Sequence, residues 1–215
     1  MGLSIADVEA RVPEHVEAYR ETAPFYPVEQ EAIESLPAAF RAGEYGPRDL
    51  EWVVRWYFRR RVGASDHERR RAVEDAVADV DRAAMRAAMW DAVDALEEAG
   101  RPGEREGCGT PNTGAAPAHH RALEALTRLP GVDTAVGSAL LWFLDPDRFF
   151  VFGDREWRVV AELTDLDDGY PEPMTVEAYD RYLDAVRRLA SELEVDHWTL
   201  YLVVQRVYAA EFGGA

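Results

Sequence analysis

The stretch Leu129-Pro130-Gly131-Val132-Asp133-Thr134 decides the fold prediction, because it places a Pro-Gly pair between two helical patterns. The pattern before it has Leu123 and Leu126 at helical spacing, and the pattern after it is rich in small residues, namely Ala135, Gly137, Ser138 and Ala139. A glycine in a tight turn lets one helix follow another directly, and small side chains let the two pack closely. The sequence therefore predicts helices near residues 118–128 and 134–144, joined by a glycine turn.

The start of the second helix also predicts an anion-binding position. The first amides of a helix have no acceptor within the helix, and the helix dipole favours negative charge there. A phosphate is therefore expected to dock at the turn and the first helical residues, which are Gly131, Val132, Asp133, Thr134 and Ala135. An ordinary helix pair with a glycine turn is the alternative, and it explains the same residues without a ligand.

The residues after the second helix carry a resemblance to a known family. Asp145-Pro146 ends that helix, the apolar stretch Phe149-Phe150-Val151-Phe152 is expected to be extended, and Gly153-Asp154 opens the next helix. Together with the turn, this order resembles the helix-hairpin-helix DNA glycosylase superfamily (HhH-GPD-like proteins). In that family a Leu-Pro-Gly-Val-Gly hairpin precedes an aspartate at a helix N-terminus by about this distance. The resemblance covers about residues 123–163, and it is closest to a subgroup of uncharacterised microbial proteins.

The resemblance implies a fold and an activity. The fold is all-α, a single glycosylase-like domain over residues 1–215, with two helical lobes around a cleft and with the hairpin and Asp154 at its mouth. In the family the matching aspartate is catalytic: its carboxylate stabilises the positive charge that develops on the sugar as the N-glycosidic bond breaks, or it activates water. An aspartate is also a preferred helix N-cap, and capping alone explains its position without catalysis.

Three features depart from the family pattern. Asp133 stands where the family has its second hairpin glycine, which puts a carboxylate at the expected phosphate position unless it turns away to cap the following helix. The sequence contains no lysine, which excludes the Schiff-base chemistry by which members with a hairpin lysine cleave the strand. Cys108 is the single cysteine, so the four-cysteine iron–sulfur motif of some members is absent, and no cofactor is predicted.

Two groups of aromatic and basic residues are candidates for a base-binding pocket. Trp52 and Trp56 lie one helical turn apart with Arg59 on the same helix, and Arg155 and Trp157 begin the later helix. An aromatic ring beside a guanidinium is a surface on which an unpaired base stacks. The alternative places the tryptophans in the core and the arginines at its solvated edge, and this is the interpretation we favour.

No metal site is predicted. His119 and His120 are adjacent, so they point to different sides of a helix, and the other histidines show no ligand spacing with them. Asp165, Asp167 and Asp168 lack the loop pattern of a known calcium site. An acidic surface loop explains these three residues.

The charge of the chain bears on its environment. The sequence has 41 acidic and 24 basic residues, for a net charge of -17, and every basic residue is an arginine. Such a surface repels itself in ordinary buffer and is tolerated when molar salt screens it, so the composition predicts a salt-adapted, haloarchaeal-like source. Net acidity normally argues against a nucleic-acid partner. That argument loses force where the acidity is an adaptation to the solvent.

The rest of the chain is predicted to be helical, with one irregular stretch. Residues 65–99 contain no Gly or Pro and are predicted to form one long helix or two. Residues 100–117 are rich in Gly, Pro and Thr and are predicted to be a mobile connection between the lobes. Pro24, Pro27 and Pro37 are expected to mark irregular connections.

These observations lead to one function and two alternatives. No apolar run approaches the roughly 20 residues of a membrane span, and the N-terminus lacks a signal pattern, so a cytoplasmic protein without a membrane partner is expected. The leading function is binding of DNA, as a duplex or a damaged strand, with removal of a damaged or mismatched base by Asp154 acting as a monofunctional glycosylase. The first alternative is a non-catalytic helix-hairpin-helix module that binds nucleic acid or a protein partner. The second is a purely structural helical module.

Overall fold

Helices account for all the regular secondary structure of the described residues. The computed structural model describes residues 3–60, 67–98, 116–166 and 169–213, and these form eleven helices and no β-strand. The helices are α1 Ile5–Glu9, α2 Val12–Thr22, α3 Tyr26–Ala42, α4 Pro47–Arg59, α5 His67–Ala78, α6 Arg82–Glu98, α7 Ala118–Leu126, α8 Thr134–Leu144, α9 Asp154–Leu163, α10 Val176–Glu192 and α11 His197–Glu211. The predicted all-α fold class is confirmed for this part of the chain.

The chain divides into two compact units. Unit 1 comprises Met1–Pro37 and Asp145–Ala215, and unit 2 comprises Ala38–Leu144. In unit 1, α11 packs against α2 and α9, and α9 packs against α10. In unit 2, α4 packs against α5 and α8, and α7 packs against α6 and α8. The predicted connection at 100–117 lies outside the described residues, except for its last two positions.

Side-chain oxygens cap the N-termini of several helices, among them α1, α10 and α11. The capping pairs for α1, α10 and α11 are Asp7 N–H to Ser4 Oγ at 3.2 Å, Ala178 N–H to Thr175 Oγ1 at 3.2 Å, and Thr199 N–H to Asp196 Oδ1 at 2.6 Å. Each bond satisfies one of the amides that a helix start leaves without an acceptor in the helix. These starts are therefore set by short-range sequence signals.

The stretch 67–98 forms two helices rather than one. α5 and α6 are separated by residues 79–81, and Asp81 Oδ2 accepts hydrogen bonds from the amides of Ala83 and Ala84 at 2.9 and 3.1 Å. An aspartate that binds two amides of the following turn stabilises a helix start at its own position. The structure thereby decides between the two alternatives that the sequence left open.

Two of the three prolines expected in irregular connections lie inside α3. Pro24 lies in the turn between α2 and α3, as expected, but Pro27 occupies the first turn of α3 and Pro37 its interior. A proline in a first turn removes an amide that has no acceptor there anyway. An interior proline removes a helical hydrogen bond. The burial of Ile33 and Phe40 on α3 stabilises the helix in spite of the missing bond. The expectation was therefore wrong for Pro27 and Pro37.

Candidate functional site

The turn between α7 and α8 is built around Gly131. The amide of Leu129 donates to the carbonyl of Leu126, and the amide of Val132 donates to the carbonyl of Leu129, both at 3.1 Å. Gly131 has a φ of 79°, a left-handed conformation that glycine adopts without the steric cost of a side chain. The two helices that the sequence predicts on either side of the turn are confirmed as α7 and α8.

Two glycines of this region lie where a side chain would meet a neighbouring helix. A Cβ at Gly131 would lie 3.3 Å from Val73 Cα on α5, and a Cβ at Gly137 would lie 3.1 Å from Leu123 Cδ2 on α7. The turn therefore lies against the backbone of α5, and α8 lies close to α7. These contacts hold the turn on a packed base within unit 2.

The carboxylate of Asp133 caps α8 and pairs with an arginine of α5. Its Oδ1 accepts the amide of Val136 at 3.0 Å, and its Oδ2 lies 2.5 Å from Arg69 Nη2. The side chains of Arg69 and Asp133 are 51% and 49% exposed. The carboxylate thus turns to cap the following helix. The sequence predicts that phosphate docking at the turn requires this orientation of Asp133. Arg69 balances its charge, and Arg69 was not among the residues that sequence reasoning selected.

The five residues predicted to contact a phosphate differ in exposure. Gly131 and Asp133 are exposed and Thr134 is partly exposed, whereas Val132 and Ala135 are only 5% and 1% exposed. The apolar side chains of these two residues belong to the core of unit 2. The predicted five-residue contact surface therefore reduces to Gly131, Asp133 and Thr134.

The tryptophans of α4 contribute to the core of unit 2. Trp56 is 5% exposed, and its ring centroid lies 4.9 Å from that of Phe143 and 5.4 Å from that of Trp142. Trp52 is partly exposed and packs edge-on against Phe143. Of the two interpretations of Trp56, the candidate pocket position does not hold and the favoured core position does, because α8 brings two large rings onto this face of α4. Arg59 lies at the end of α4 in an ion pair with α5.

Asp154 is the first residue of α9, so its predicted place at a helix N-terminus is confirmed. The N-cap position belongs to Gly153, and the alternative that Asp154 itself is the N-cap residue is wrong by one position. A carboxylate in the first turn still lies at the positive end of the helix dipole, which favours negative charge. The residue is partly exposed, and its Oδ1 atom is buried.

Side chains of α10 and α11 fix the segment that leads to Asp154. Residues 149–152 are buried and belong to no helix or strand. Three successive carbonyls accept hydrogen bonds, Phe149 from His197 Nδ1 at 3.0 Å, Phe150 from the Tyr179 hydroxyl at 3.1 Å and Val151 from the Tyr182 hydroxyl at 3.0 Å. Because a buried carbonyl without a partner is costly, these bonds stabilise an irregular segment in the core of unit 1. Burial lowers the pKa of His197 and raises the pKa of Tyr179, which favours the neutral form of both side chains.

Arg155 and Trp157, the other residues predicted at the start of α9, pack against aromatic rings. Trp157 is 1% exposed, and its ring stacks on that of Tyr182 at a centroid distance of 5.8 Å. The guanidinium carbon of Arg155 lies 5.1 Å from the ring centroid of Tyr208. Trp157 is therefore a core residue, and Arg155 is held by a cation–π contact at the edge of unit 1.

Glu156 is a buried carboxyl group that sequence reasoning missed. It is fully buried and accepts a hydrogen bond from Gln205 Nε2 at 2.6 Å. A glutamate in the first turn of a helix is an ordinary surface feature in a sequence, so nothing local marks this one as buried. The packing of α9 against α11 places it inside.

Each unit holds its own part of the predicted site. Residues 131–135, Trp52, Trp56 and Arg59 belong to unit 2, whereas Asp154, Arg155 and Trp157 belong to unit 1. Unit 2 brings the turn next to Arg69, and unit 1 presents Asp154 at the start of α9. The two parts are an anion-binding candidate and a carboxylate candidate for acid–base or electrostatic chemistry.

Comparisons with known proteins find no relative of this chain. No family model matches it, no curated protein matches it, and no solved structure resembles it at a significant level. Within the described residues, no helix is both long enough and apolar enough to cross a membrane.

Proposed function

We propose that this chain is a helix-hairpin-helix DNA-binding protein, in which the turn between α7 and α8 contacts a backbone phosphate. The φ of 79° at Gly131 and the exposure of Gly131 and Asp133 support this proposal, since a phosphate oxygen needs close access to backbone amides. The first amides of α8 have no acceptor within the helix. The expected arrangement of two lobes around a cleft is part of the same proposal.

The observation that carries the proposal is the pairing of Arg69 with Asp133. A single carboxylate at the start of α8 would repel a phosphate, and Arg69 at 2.5 Å balances that charge. The guanidinium has five N–H donors in a planar fork, and two parallel bonds to one phosphate are a common mode of phosphate recognition. The side chain of Arg69 is 51% exposed, so its guanidinium is accessible to a strand that lies on the turn.

We propose further that Asp154 assists hydrolysis of an N-glycosidic bond in bound DNA. Its carboxylate would stabilise the positive charge on the sugar as the bond from C1′ to the base nitrogen breaks. The oxygen of a water molecule then bonds to C1′, the water loses a proton, and the departing base gains one. The products are a free base and an intact strand with an abasic site. The position of Asp154 at the start of α9, on a segment fixed by three carbonyl hydrogen bonds, supports this role.

Binding is tested by fluorescence anisotropy of a labelled duplex in 1 M potassium chloride. Arg69→Gln is expected to weaken binding about tenfold, the loss of one charge-assisted hydrogen bond of about 1.5 kcal/mol. Arg121→Gln is the matched control, because Arg121 on α7 pairs with Glu98 at 2.7 Å and the two side chains are 41% and 56% exposed. Equal affinity of Arg69→Gln and the wild type, or equal losses in the two variants, would contradict the phosphate role of the turn.

Catalysis is tested separately by base release from duplexes that carry different damaged bases, followed by alkaline strand cleavage. Asp154→Asn is expected to abolish base release and to leave duplex affinity within about twofold, since the carboxylate acts on the sugar and not on the backbone. Retained base release in Asp154→Asn would rule out its catalytic role. If the wild type binds DNA through Arg69 but releases no base from any duplex, the protein is the non-catalytic helix-hairpin-helix module of the first alternative.

A further inference from the structure

An open pocket of about 610 Å³ lies in unit 1 beside α10. Three arginines of α10 line it, namely Arg181, Arg187 and Arg188, and Trp157 and Leu166 form its apolar side. The volume falls in the range of about 300–1,000 Å³ that is typical of pockets for small ligands. The chain as a whole has a net charge of -17, so three arginines around one pocket depart from its acidic composition.

The amphipathic pattern of α10 gathers these arginines. Residues 181 and 188 are seven positions apart, which places them on the same side of the helix, and both are exposed. The other side of the helix carries Tyr179 and Tyr182, whose buried hydroxyls bind the 149–152 segment. The face with the arginines is therefore held in position by the core behind it.

The arginines of the pocket differ in how their charge is balanced. Arg187 Nη1 lies 3.4 Å from the carboxylate of Asp184, and its Nη2 donates to the carbonyl of Arg148 at 3.1 Å. Arg188 binds Asp165 through both terminal nitrogens, Nη1 to Oδ2 at 3.1 Å and Nη2 to Oδ1 at 2.6 Å. Arg187 is thus held on two sides, whereas Arg188 presents its fork to a single carboxylate.

The Arg188–Asp165 pair shows which ligand chemistry the fork accepts. A guanidinium binds carboxylate and phosphate oxygens in this same two-bond geometry. The two side chains are 54% and 73% exposed, and an exposed pair of this kind contributes little to stability, so a free anion can replace Asp165 on Arg188. Asp165 occupies the position that the oxygens of a ligand would take.

We propose that this pocket binds the terminal phosphate of a phosphate monoester, with the attached organic group beside Leu166. Among the lining residues Asp184 balances Arg187, and once Asp165 is displaced Arg181 and Arg188 offer two positive charges. A phosphate monoester carries about 1.5 to 2 negative charges near pH 7 and matches them, whereas a phosphodiester carries only one. The inference is independent of the turn between α7 and α8 and of Asp154.

The test is calorimetric titration in potassium chloride of fixed ionic strength with inorganic phosphate, thymidine 5′-monophosphate, and a short single strand with or without a 5′-phosphate. The monophosphate is expected to saturate one site and to bind more tightly than inorganic phosphate. Arg181→Gln and Arg188→Gln are each expected to weaken it about tenfold. Arg11→Gln is the matched control in unit 1, since Arg11 lies 3.0 Å from Glu14 with 50% and 65% exposure. It should leave the affinity unchanged.

A further variant tests whether a phosphate displaces Asp165 from Arg188, and its expected effect is tighter rather than weaker binding. Asp165→Asn removes the carboxylate that competes for Arg188, so it should strengthen monophosphate binding severalfold. Tighter binding of the strand with a 5′-phosphate than of the strand without it would identify a strand end as the source of the phosphate. Equal binding of the two strands, together with saturable binding of the monophosphate, would identify a free nucleotide. The proposal would be overturned by no saturable binding of the monophosphate, by equal losses in Arg11→Gln and Arg188→Gln, or by weaker binding in Asp165→Asn.

Discussion

Arg69 Nη2 lies 2.5 Å from Asp133 Oδ2, and this contact joins α5 to the start of α8 across 64 positions of sequence. The same carboxylate caps α8 through the amide of Val136. The residue that departs from the hairpin pattern of the resembling family is therefore balanced by a cation that the pattern does not include. The negative charge that Asp133 brings to the turn is thus paired with a positive one.

The charge balance at the turn leads to opposite predictions for its two partners. Asp133→Asn keeps a capping side chain, because asparagine caps as well as aspartate, and it removes one negative charge from the turn. Duplex binding should become about threefold tighter, whereas Arg69→Gln should weaken it. The double variant should bind better than Arg69→Gln alone. Anisotropy of all four proteins gives the coupling, and an Asp133→Asn variant that binds more weakly than the wild type would contradict this prediction.

The conformation of Gly131 predicts a stability change. Gly131→Ala places a side chain at a φ of 79° and 3.3 Å from Val73 Cα, so both the backbone and the packing are strained. A loss of about 1–2 kcal/mol in the free energy of unfolding is expected, measured by urea unfolding in fixed potassium chloride. Gly169→Ala is the control, since a Cβ there would have no neighbour within 4 Å. Equal stability of the two variants would show that the turn adjusts freely.

The parts of the structure that the sequence predicted are those that local signals determine. The glycine turn, the helices on either side of it and the start of α9 at Asp154 follow from turn residues and short-range periodicity. Pro37 shows the limit of such signals, because the packing of α3 outweighs the local preference of proline for a helix end.

The features that the sequence did not predict depend on contacts between distant residues. Arg69 meets Asp133 only because α5 packs beneath the turn, and Arg188 meets Asp165 across 23 positions. A tryptophan beside arginines has the same sequence pattern whether it lines a pocket or the core. Trp56 lies in the core, as the favoured interpretation has it, because Trp142 and Phe143 of α8 cover it.

The burial of His197 predicts a loss of stability in acid. Burial, as the main cause, lowers the pKa of His197 in the folded state, while the unfolded value stays near 6.5. As the pH falls below that value the unfolded chain binds a proton first, so stability falls by at most about 1.4 kcal/mol per pH unit for one such group. Burial also lowers the pKa of His15, and this contribution has the same sign. Above the unfolded pKa neither group contributes to the slope.

Urea unfolding of the wild type and His197→Gln from pH 8 to pH 5 measures the histidine contribution. The variant should show a shallower loss of stability below pH 6.5, whatever its stability at pH 8. His67→Gln is the control for the substitution itself, because it makes the same replacement at an exposed histidine. Parallel curves for the wild type and His197→Gln would mean that the ring titrates alike in both states.

The absence of lysine from the sequence predicts the fate of the abasic product. Without a lysine amine no side chain can form a Schiff base with the opened sugar, so the abasic strand should stay intact until alkali is added. Gel electrophoresis with and without alkaline treatment measures this. Borohydride trapping of a covalent protein–DNA adduct would contradict the prediction, provided that the N-terminal amine has first been blocked.

The net charge of -17 predicts an unusual salt dependence of DNA binding. Each phosphate contact normally adds about 0.9 to the slope of log affinity against log salt, because binding releases counterions. Here the acidic surface repels the duplex at low salt. At 1 M salt the Debye length falls to about 3 Å, which removes that repulsion but leaves short hydrogen bonds from the amides of the turn largely intact. Affinity should therefore fall only weakly as salt rises, or improve into the molar range.

Anisotropy from 0.1 to 3 M potassium chloride, with circular dichroism recorded at each point, measures this salt dependence. Arg69→Gln in the same series separates counterion release from long-range repulsion. The variant should release about one counterion fewer, which makes the slope of log affinity against log salt shallower, and the effect of salt on the long-range repulsion should stay the same. A steep monotonic loss of affinity by a wild type that stays folded would mean that arginine–phosphate contacts dominate and that the amides of the turn contribute little. No binding to duplex or single strand at any salt would exclude the DNA-binding proposal and favour a module that binds a protein partner over one that binds nucleic acid, with a purely structural helical module as the other alternative.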